Sequence, residues 1–226
     1  MLLLVTDTSG KQGSVALARA GERDARGLEV IEVAPLEGGA FSAQLVPQIA
    51  ALLAKHSLTK ADLEAFIVVS GPGSFTGLRV GLAAIKALAE ILKKPIVPVS
   101  LLEVVAVASR AQGKVAAALD AGRGDIYFGG YEITRDTVQV LQEQLLSKAE
   151  FLSAAGEFTI VTPDPNWLAI AREAGLKVLA VEAPSTEMIV RLGSRKLQAG
   201  ETVSPERLEA NYMRRSDAEM FVKSSS

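Results

Sequence analysis

The chain has 226 residues, 49% hydrophobic and 22% charged, with a formal net charge of −2. Cysteine is absent, which excludes disulfides, thiolate metal sites and thiol nucleophiles and suits a reducing cytoplasm. Acidic and basic residues are interspersed, so the basic footprint of a protein that grips nucleic acid unaided is missing. No run approaches the roughly 20 apolar residues of a membrane span, and the opening "MLLLVTDTSG" lacks the basic flank of a signal peptide.

In chain order, 2–9, 13–20 and 28–36 are short runs with β-branched residues, parted by Gly and charged clusters, and predict three strands. The spacing of Phe41, Leu45, Ile49 and Leu52 predicts a helix over 41–56. Pro47 marks either its true start or a kink. A buried strand at 65–72, a helix at 75–93, a strand at 95–100 and a linking helix at 101–112 follow. The order then recurs: strands at 114–122, 125–133 and 137–146, a strand at 158–164, a helix at 167–175, a strand at 178–184 and a helix at 186–200. Both halves place an Asp after the first strand, Asp7 and Asp120. This reads as a duplicated α/β architecture, with an N-terminal lobe over 1–112 and a C-terminal lobe with a polar tail over 113–226.

The segment "SGPGSFTGLRVG" (70–81) has the glycine density of a phosphate-binding turn but fits neither template. Gly71 and Gly73 suit a dinucleotide fingerprint, yet position 76 is Thr. A P-loop needs a Lys, and none lies between residues 61 and 85. What remains is a Gly71-Pro72-Gly73 turn with Ser74 as the N-cap of a helix, whose first amides could hold an anion weakly. Gly77, Gly81, Ala84 and Leu88 form a small-residue stripe. Interior glycines weaken a helix by roughly 1 kcal/mol each, so they imply close packing, against the chain's own sheet or a second chain.

These motifs occur together and in order: "VTDTS" at the start, "SGPGSFTGLRVGLAAIKAL" (70–88), "ALDAGRGDIYFGGY" (118–131) and "LEANYMRRSDAE" (208–219). Over nearly its whole length the chain resembles the TsaB (YeaZ) family of bacterial tRNA threonylcarbamoyladenosine biosynthesis. The resemblance implies the two-lobed actin-like, sugar-kinase and Hsp70 ATPase (ASKHA) fold, each lobe a five-stranded mixed sheet with helices. It implies a cytoplasmic, non-catalytic partner of the TsaD transferase, joined by the ATPase TsaE. Binding would use the first two helices, placing Phe41, Leu45, Ile49, Leu52, Gly77, Gly81, Ala84 and Leu88 in or near the contact. The same surface would form a homodimer in the isolated chain, and tRNA would be met only through the complex.

No cofactor or metal of its own is implied; ADP or ATP at the interface with TsaD stays open. The related catalytic subunit holds a metal with two His four apart on its first helix, where this chain has Phe41 and Leu45. Phe41 also replaces the family's usual His before Ser42. The one histidine, His56, serves no nucleophile elbow, so the peptidase labels in this superfamily find no catalytic residues here. Asp7, Thr8, Ser9 and Asp120 resemble the acidic phosphate loops of ATPases of this fold, or else make polar turn contacts. If the aspartates held Mg-ATP, the chain would instead be an autonomous small-molecule kinase. "GRGD" (122–125) reads as a β-turn between strands, and 211–221, with Arg214, Arg215, Asp217 and Glu219, as a solvated end or, from the resemblance, a tail that folds back on the body or helps contact partners.

Overall fold

A computed structural model describes residues 1–21 and 27–213. The tail from Arg214 onward lies outside the described residues, and with it the reading given to that tail. The described residues divide into two compact units, Met1–Ser100 with Ser185–Asn211, and Leu101–Pro184 with Tyr212 and Met213.

The first unit has one sheet of β1 (Leu2–Asp7), β2 (Gln12–Arg19), β3 (Glu29–Glu37), β4 (Ala65–Gly71) and β5 (Ile96–Ser100). Its strand order is β3-β2-β1-β4-β5. β1 pairs antiparallel with β2 and parallel with β4, and β4 is parallel to β5. The connections follow the register: β2 and β3 return along the sheet, and the parallel strands are linked through helices. Strand alternation sends Leu2, Leu4, Val15, Leu17, Phe66 and Val68 to one face, where they form a core with α1 (Phe41–Lys55) and α2 (Phe75–Leu92). The alternate residues Leu3, Val5, Ala16, Ala18, Ile67 and Val69 are also buried. α6 (Thr186–Gln198) packs on this sheet, where a side chain at Gly193 would meet Ile67 Cγ2 at 2.5 Å.

The second unit repeats the plan. Its strands are β6 (Gly113–Gly122), β7 (Asp125–Ile133), β8 (Val138–Ser147), β9 (Thr159–Thr162) and β10 (Val178–Ala180), in the order β10-β9-β6-β7-β8. β6 is antiparallel to β7 and parallel to β9, as β1 is to β2 and β4. One face packs with α4 (Lys148–Ala154) and α5 (Pro165–Glu173) through Phe128, Phe151 and Trp167. Edge-to-face ring contacts, 6.1 Å for Phe128–Phe151 and 5.5 Å for Phe151–Trp167, tie these elements together. The other face packs α3 (Leu101–Ala108) against Val115, Ala117, Tyr131 and Val161. The two sheets thus share one strand order, the duplicated α/β fold expected from the sequence.

The observed division differs from the boundary expected at 112/113. α3 belongs with the second unit because Leu102, Val105 and Ala106 pack on β6 and β7. α6 returns to the first unit because its buried stripe of Ile189, Val190, Leu192 and Gly193 covers β1, β4 and β5. α4 was not expected from the pattern. It is a seven-residue helix opened by a capping box in which Ser147 and Glu150 satisfy each other's backbone N–H. α1 starts at Phe41 and carries Pro47 inside it, on its exposed side.

Candidate functional site

The glycine-rich turn follows β4. Gly71 has φ +135°, a conformation few residues other than glycine adopt, and a side chain there would meet Asn211 O at 2.9 Å. The turn delivers the chain to Ser74, whose hydroxyl accepts from Gly77 N at 3.3 Å and caps α2.

Gly73, Gly77 and Gly81 lie four residues apart and clear a path for the loop after β1. An added Cβ at Gly73 would stand 2.4 Å from Ser9 O, at Gly77 2.0 Å from Thr8 O, and at Gly81 2.3 Å from Thr8 Oγ1. Thr8 Oγ1 donates to Gly77 O at 2.7 Å, and Ser74 N donates to Ser9 O at 2.7 Å. An amide at the start of α2 is therefore taken by a carbonyl of the same chain. Of the two kinds of close packing that the glycine stripe implied, Gly77 and Gly81 show packing within the chain, against Thr8.

Asp7 ends β1. Its Oδ1 accepts from Ser9 N at 2.9 Å and Ser9 Oγ at 2.6 Å, the Asx-turn contacts of a structural aspartate. Burial pushes the Asp7 carboxyl above the usual range, and the two Ser9 hydrogen bonds pull against that shift. In the second unit Asp120 accepts from Trp167 Nε1 at 3.1 Å and orients the buried indole. The "GRGD" stretch is a two-residue hairpin turn, with Arg123 at φ +60° and Gly124 at φ +83° between the paired Gly122 and Asp125.

α1 aims its apolar stripe inward. Phe41, Leu45, Ile49 and Leu52 are buried in the core of their own unit. The Phe41 ring sits between two glycines: a side chain at Gly13 would meet its Cε1 at 2.9 Å, and one at Gly77 its Cε2 at 3.3 Å. Those four residues, expected at a partner contact, belong to the chain's own core, as helical apolar stripes generally do. Ala84 and Leu88 are half-buried and pack against the same core. Phe41 and Leu45 offer no donor atoms, so the metal site of the catalytic relative does not fit these residues. Among the described residues no group of three His, Cys, Asp or Glu could hold a metal ion. His56 caps the end of α1, with Nε2 2.8 Å from Glu32 Oε2, while Lys55 Nζ reaches Glu32 Oε1 at 2.7 Å.

The outward sides of α1 and α2 are what the sequence reading missed. Ser42, Ala43, Val46, Pro47, Ala50 and Ala54 are exposed on α1, and Thr76, Arg79, Ala83, Ala87 and Ile91 on α2. Val46 is 59% exposed and Ile91 70%, the two most exposed large aliphatic side chains among the described residues. The helices pack side by side, so together they offer solvent a surface of mostly small side chains with two large aliphatic ones and Arg79. The signal was present as alanines at 43, 50, 54, 83 and 87, masked by the stronger inward stripe.

The TsaD family model, tRNA N6-adenosine threonylcarbamoyltransferase, matches residues 36–204. The tRNA threonylcarbamoyladenosine biosynthesis protein TsaB of Escherichia coli (strain K12) is 28% identical over 227 residues, 95% of this chain and 95% of its own. TsaB of Bacillus subtilis (strain 168) is 31% identical over 159 residues, covering 70% of this chain and 67% of its own. A solved Pseudomonas aeruginosa protein described as similar to the peptidase YeaZ is 25% identical, with a TM-score of 0.72 over 94% of this chain and 99% of its own. YeaZ from Pseudomonas aeruginosa, 24% identical, gives a TM-score of 0.70 over 93% of this chain and 100% of its own. With the repeated sheet order and the glycine-lined α2 in place, these likenesses make the chain a member of the TsaB (YeaZ) family, built on a TsaD-type domain.

Proposed function

We propose that this protein is the non-catalytic partner of a TsaD-type transferase in forming N6-threonylcarbamoyladenosine at position 37 of tRNAs that read codons beginning with A. The names of its relatives support the pathway. The observation that carries the role is the pairing of two facts on one helix. At the positions of the catalytic relative's metal ligands α1 buries Phe41 and Leu45, while its opposite side exposes Ala43, Val46, Ala50 and Ala54. A helix without reactive groups and with an open apolar side is suited to packing on another protein.

In this reading the outward sides of α1 and α2 complete a helix bundle with TsaD, steady it and help to create the docking surface for TsaE. On the same reading the protein has no nucleotide of its own, with Asp7 and Asp120 serving as turn and indole acceptors for Ser9 and Trp167, and ADP or ATP would bind at the joint interface with TsaD. It meets tRNA only within the complex, in the cytoplasm. No helix of the described residues is long and apolar enough to cross a membrane.

Reconstitution tests this. TsaD and TsaE homologues from the same organism are incubated with tRNA, ATP and a threonylcarbamoyl donor, with and without this chain, and the nucleosides are read by mass spectrometry. Product is expected only when this chain is present. Product without it, or micromolar Mg-ATP binding and turnover by the isolated chain, would contradict the proposal and favour the small-molecule kinase.

A further inference from the structure

β8 is an open edge. In the strand order β10-β9-β6-β7-β8 it pairs with β7, and among the described residues no strand lies along its outer row of main-chain N–H and C=O groups. Edges are usually blunted by Lys, by Pro, by a bulge or by brevity. β8 is ten residues long with neither Lys nor Pro. Its one charged side chain, Glu143, accepts a hydrogen bond from the Tyr131 hydroxyl. The one device present is a bulge: Gly130 opposes Gln142 and Tyr131 opposes Val140, which leaves Leu141 as an extra residue. Val140 and Leu141 are both exposed.

Beside the bulge lies a groove of about 480 Å³, lined by Leu141, Gln142, Ala154, Gly156, Glu157 and Phe158. Gly130 makes room for its floor. A side chain there would meet Phe158 Cε1 at 3.0 Å and Gln142 Cγ at 3.3 Å. Without one, the Phe158 ring lies over the sheet, edge-on to Phe128 at 5.7 Å. A side chain added at Gly156 would meet nothing within 4 Å, so the groove is open on that side.

The margin of the groove is acidic. The stretch 130–158 carries five acids and two bases. Lys114 reaches the groove from β6 and pairs with Glu157, while Glu132 stands opposite it in the β6–β7 register. Glu157, chiefly through its hydrogen bond, and Glu132 more weakly hold the Lys114 ammonium above its ordinary range. Two carboxylates thus face one ammonium, and a negative charge is left over.

We propose that the β8 edge and its groove bind an extended, basic segment of a partner protein by strand addition, with an Arg or Lys stem on Phe158 and its cation at Glu157 and Glu132. Main-chain hydrogen bonds along the edge supply affinity for an extended chain, and the groove beside it reads one side chain. A long basic side chain suits that groove, because its methylene stem covers apolar surface while its head stays in water. The aromatic face and the surplus carboxylate both attract the head. An acidic margin repels a nucleic-acid backbone. A second copy's β8 brings Glu143 and no base, so it is not the complement either. The site belongs to the second unit and is independent of the reading of α1 and α2, which stands or falls on its own test.

The test is a nuclear magnetic resonance titration of the isotope-labelled full chain. The probe is a capped heptapeptide of alternating Thr and Val with a central Arg. Its controls carry a central Glu, or the central Arg with alternate amides N-methylated. The Arg peptide is expected to shift the amides of 138–147, Gly156 and Glu157, and to bind at least tenfold more tightly than the Glu peptide. The N-methylated peptide should not bind. Gly156→Trp, which fills the open groove, should weaken binding at least tenfold with an unchanged melting temperature, and Gly156→Ala should not. Glu157→Lys should remove the preference for Arg over Glu. The proposal is overturned if the Arg peptide does not bind at millimolar concentration, or if the Glu or N-methylated peptide binds as well. Protection of the outer β8 amides from hydrogen exchange in the dilute free chain would show the edge already covered by the chain itself. Protection that appears only as the chain is concentrated would show a second copy there. Either result overturns it too.

Discussion

Thr8 Oγ1 donates a hydrogen bond to the carbonyl of Gly77 across 69 residues of sequence, at 2.7 Å. The contact exists because Gly77 has no side chain, and its geometry explains the glycine motif. A Cβ at Gly77 would stand 2.0 Å from the Thr8 backbone carbonyl oxygen, an overlap that requires the strand or the helix to move. The glycines let α2 lie close to the end of β1, and Ser74 and Ser9 complete the junction.

Gly77→Ala should therefore destabilise the protein by about 2–3 kcal/mol, although Ala is the better helix former by roughly 1 kcal/mol. Gly81→Ala should be milder, because the nearest atom is the Thr8 hydroxyl rather than backbone, and relieving the overlap costs that hydroxyl its bond to Gly77 O. Gly156→Ala, with open space around it, should leave stability nearly unchanged. Urea denaturation of the three variants checks the ranking.

Neighbouring residues on α1 should behave in opposite ways. Leu45 is 1% exposed and Val46 59%. Leu45→Ala is expected to lose about 2–5 kcal/mol by leaving a cavity. Val46→Glu should fold with a melting temperature close to wild type and bind the TsaD homologue at least tenfold more weakly. Circular dichroism melts and calorimetry separate the two.

Asp7 and Glu32 should give opposite pH dependences. Burial raises the folded-state value of Asp7, so its favourable contribution is fully present below the ordinary carboxylate range and is lost as pH rises through the raised value. Asp7→Asn should remove that decline and be at least as stable as wild type at neutral pH. Glu32 is lowered by hydrogen bonds from Lys55 and His56. Its contribution is present above the ordinary value and lost as pH falls through the lowered one. Glu32→Gln should flatten that acid limb. Unfolding midpoints between about pH 3 and 8 read both.

Asp120 is assigned a structural task. Asp120→Ala leaves the Trp167 indole N–H unpaired and should destabilise by about 1–3 kcal/mol. Asp120→Asn keeps the Oδ1 acceptor and should be much milder. If Asp120 instead held Mg-ATP, the isolated wild-type chain would bind Mg-ATP and both substitutions would abolish that binding.

Much of this architecture was legible in the chain itself. The short β-branched runs at 2–9 and 13–20, and the recurrence of an Asp after the first strand of each half, foretold two sheets of like plan. The signals were local: turn residues, short apolar runs and the Ser74 cap. What the sequence hid depends on contacts between distant residues. α3 and α6 read as ordinary helices, and only packing on Val115 or Ile67 reveals which unit owns them. The stripe at Phe41, Leu45, Ile49 and Leu52 was found, but periodicity does not say whether a stripe meets its own sheet or another protein. The own sheet wins here because Phe41 fits between Gly13 and Gly77. The outward alanines carry too little hydrophobicity to stand out beside it. α4 escaped because seven residues hold barely two turns of pattern.

The most direct test of the central claim is the affinity of a Val46→Glu/Ile91→Glu double variant for the TsaD homologue, measured by calorimetry after its fold is verified by circular dichroism. The account predicts a protein folded like wild type that no longer binds. Binding within twofold of wild type by that folded variant would contradict it.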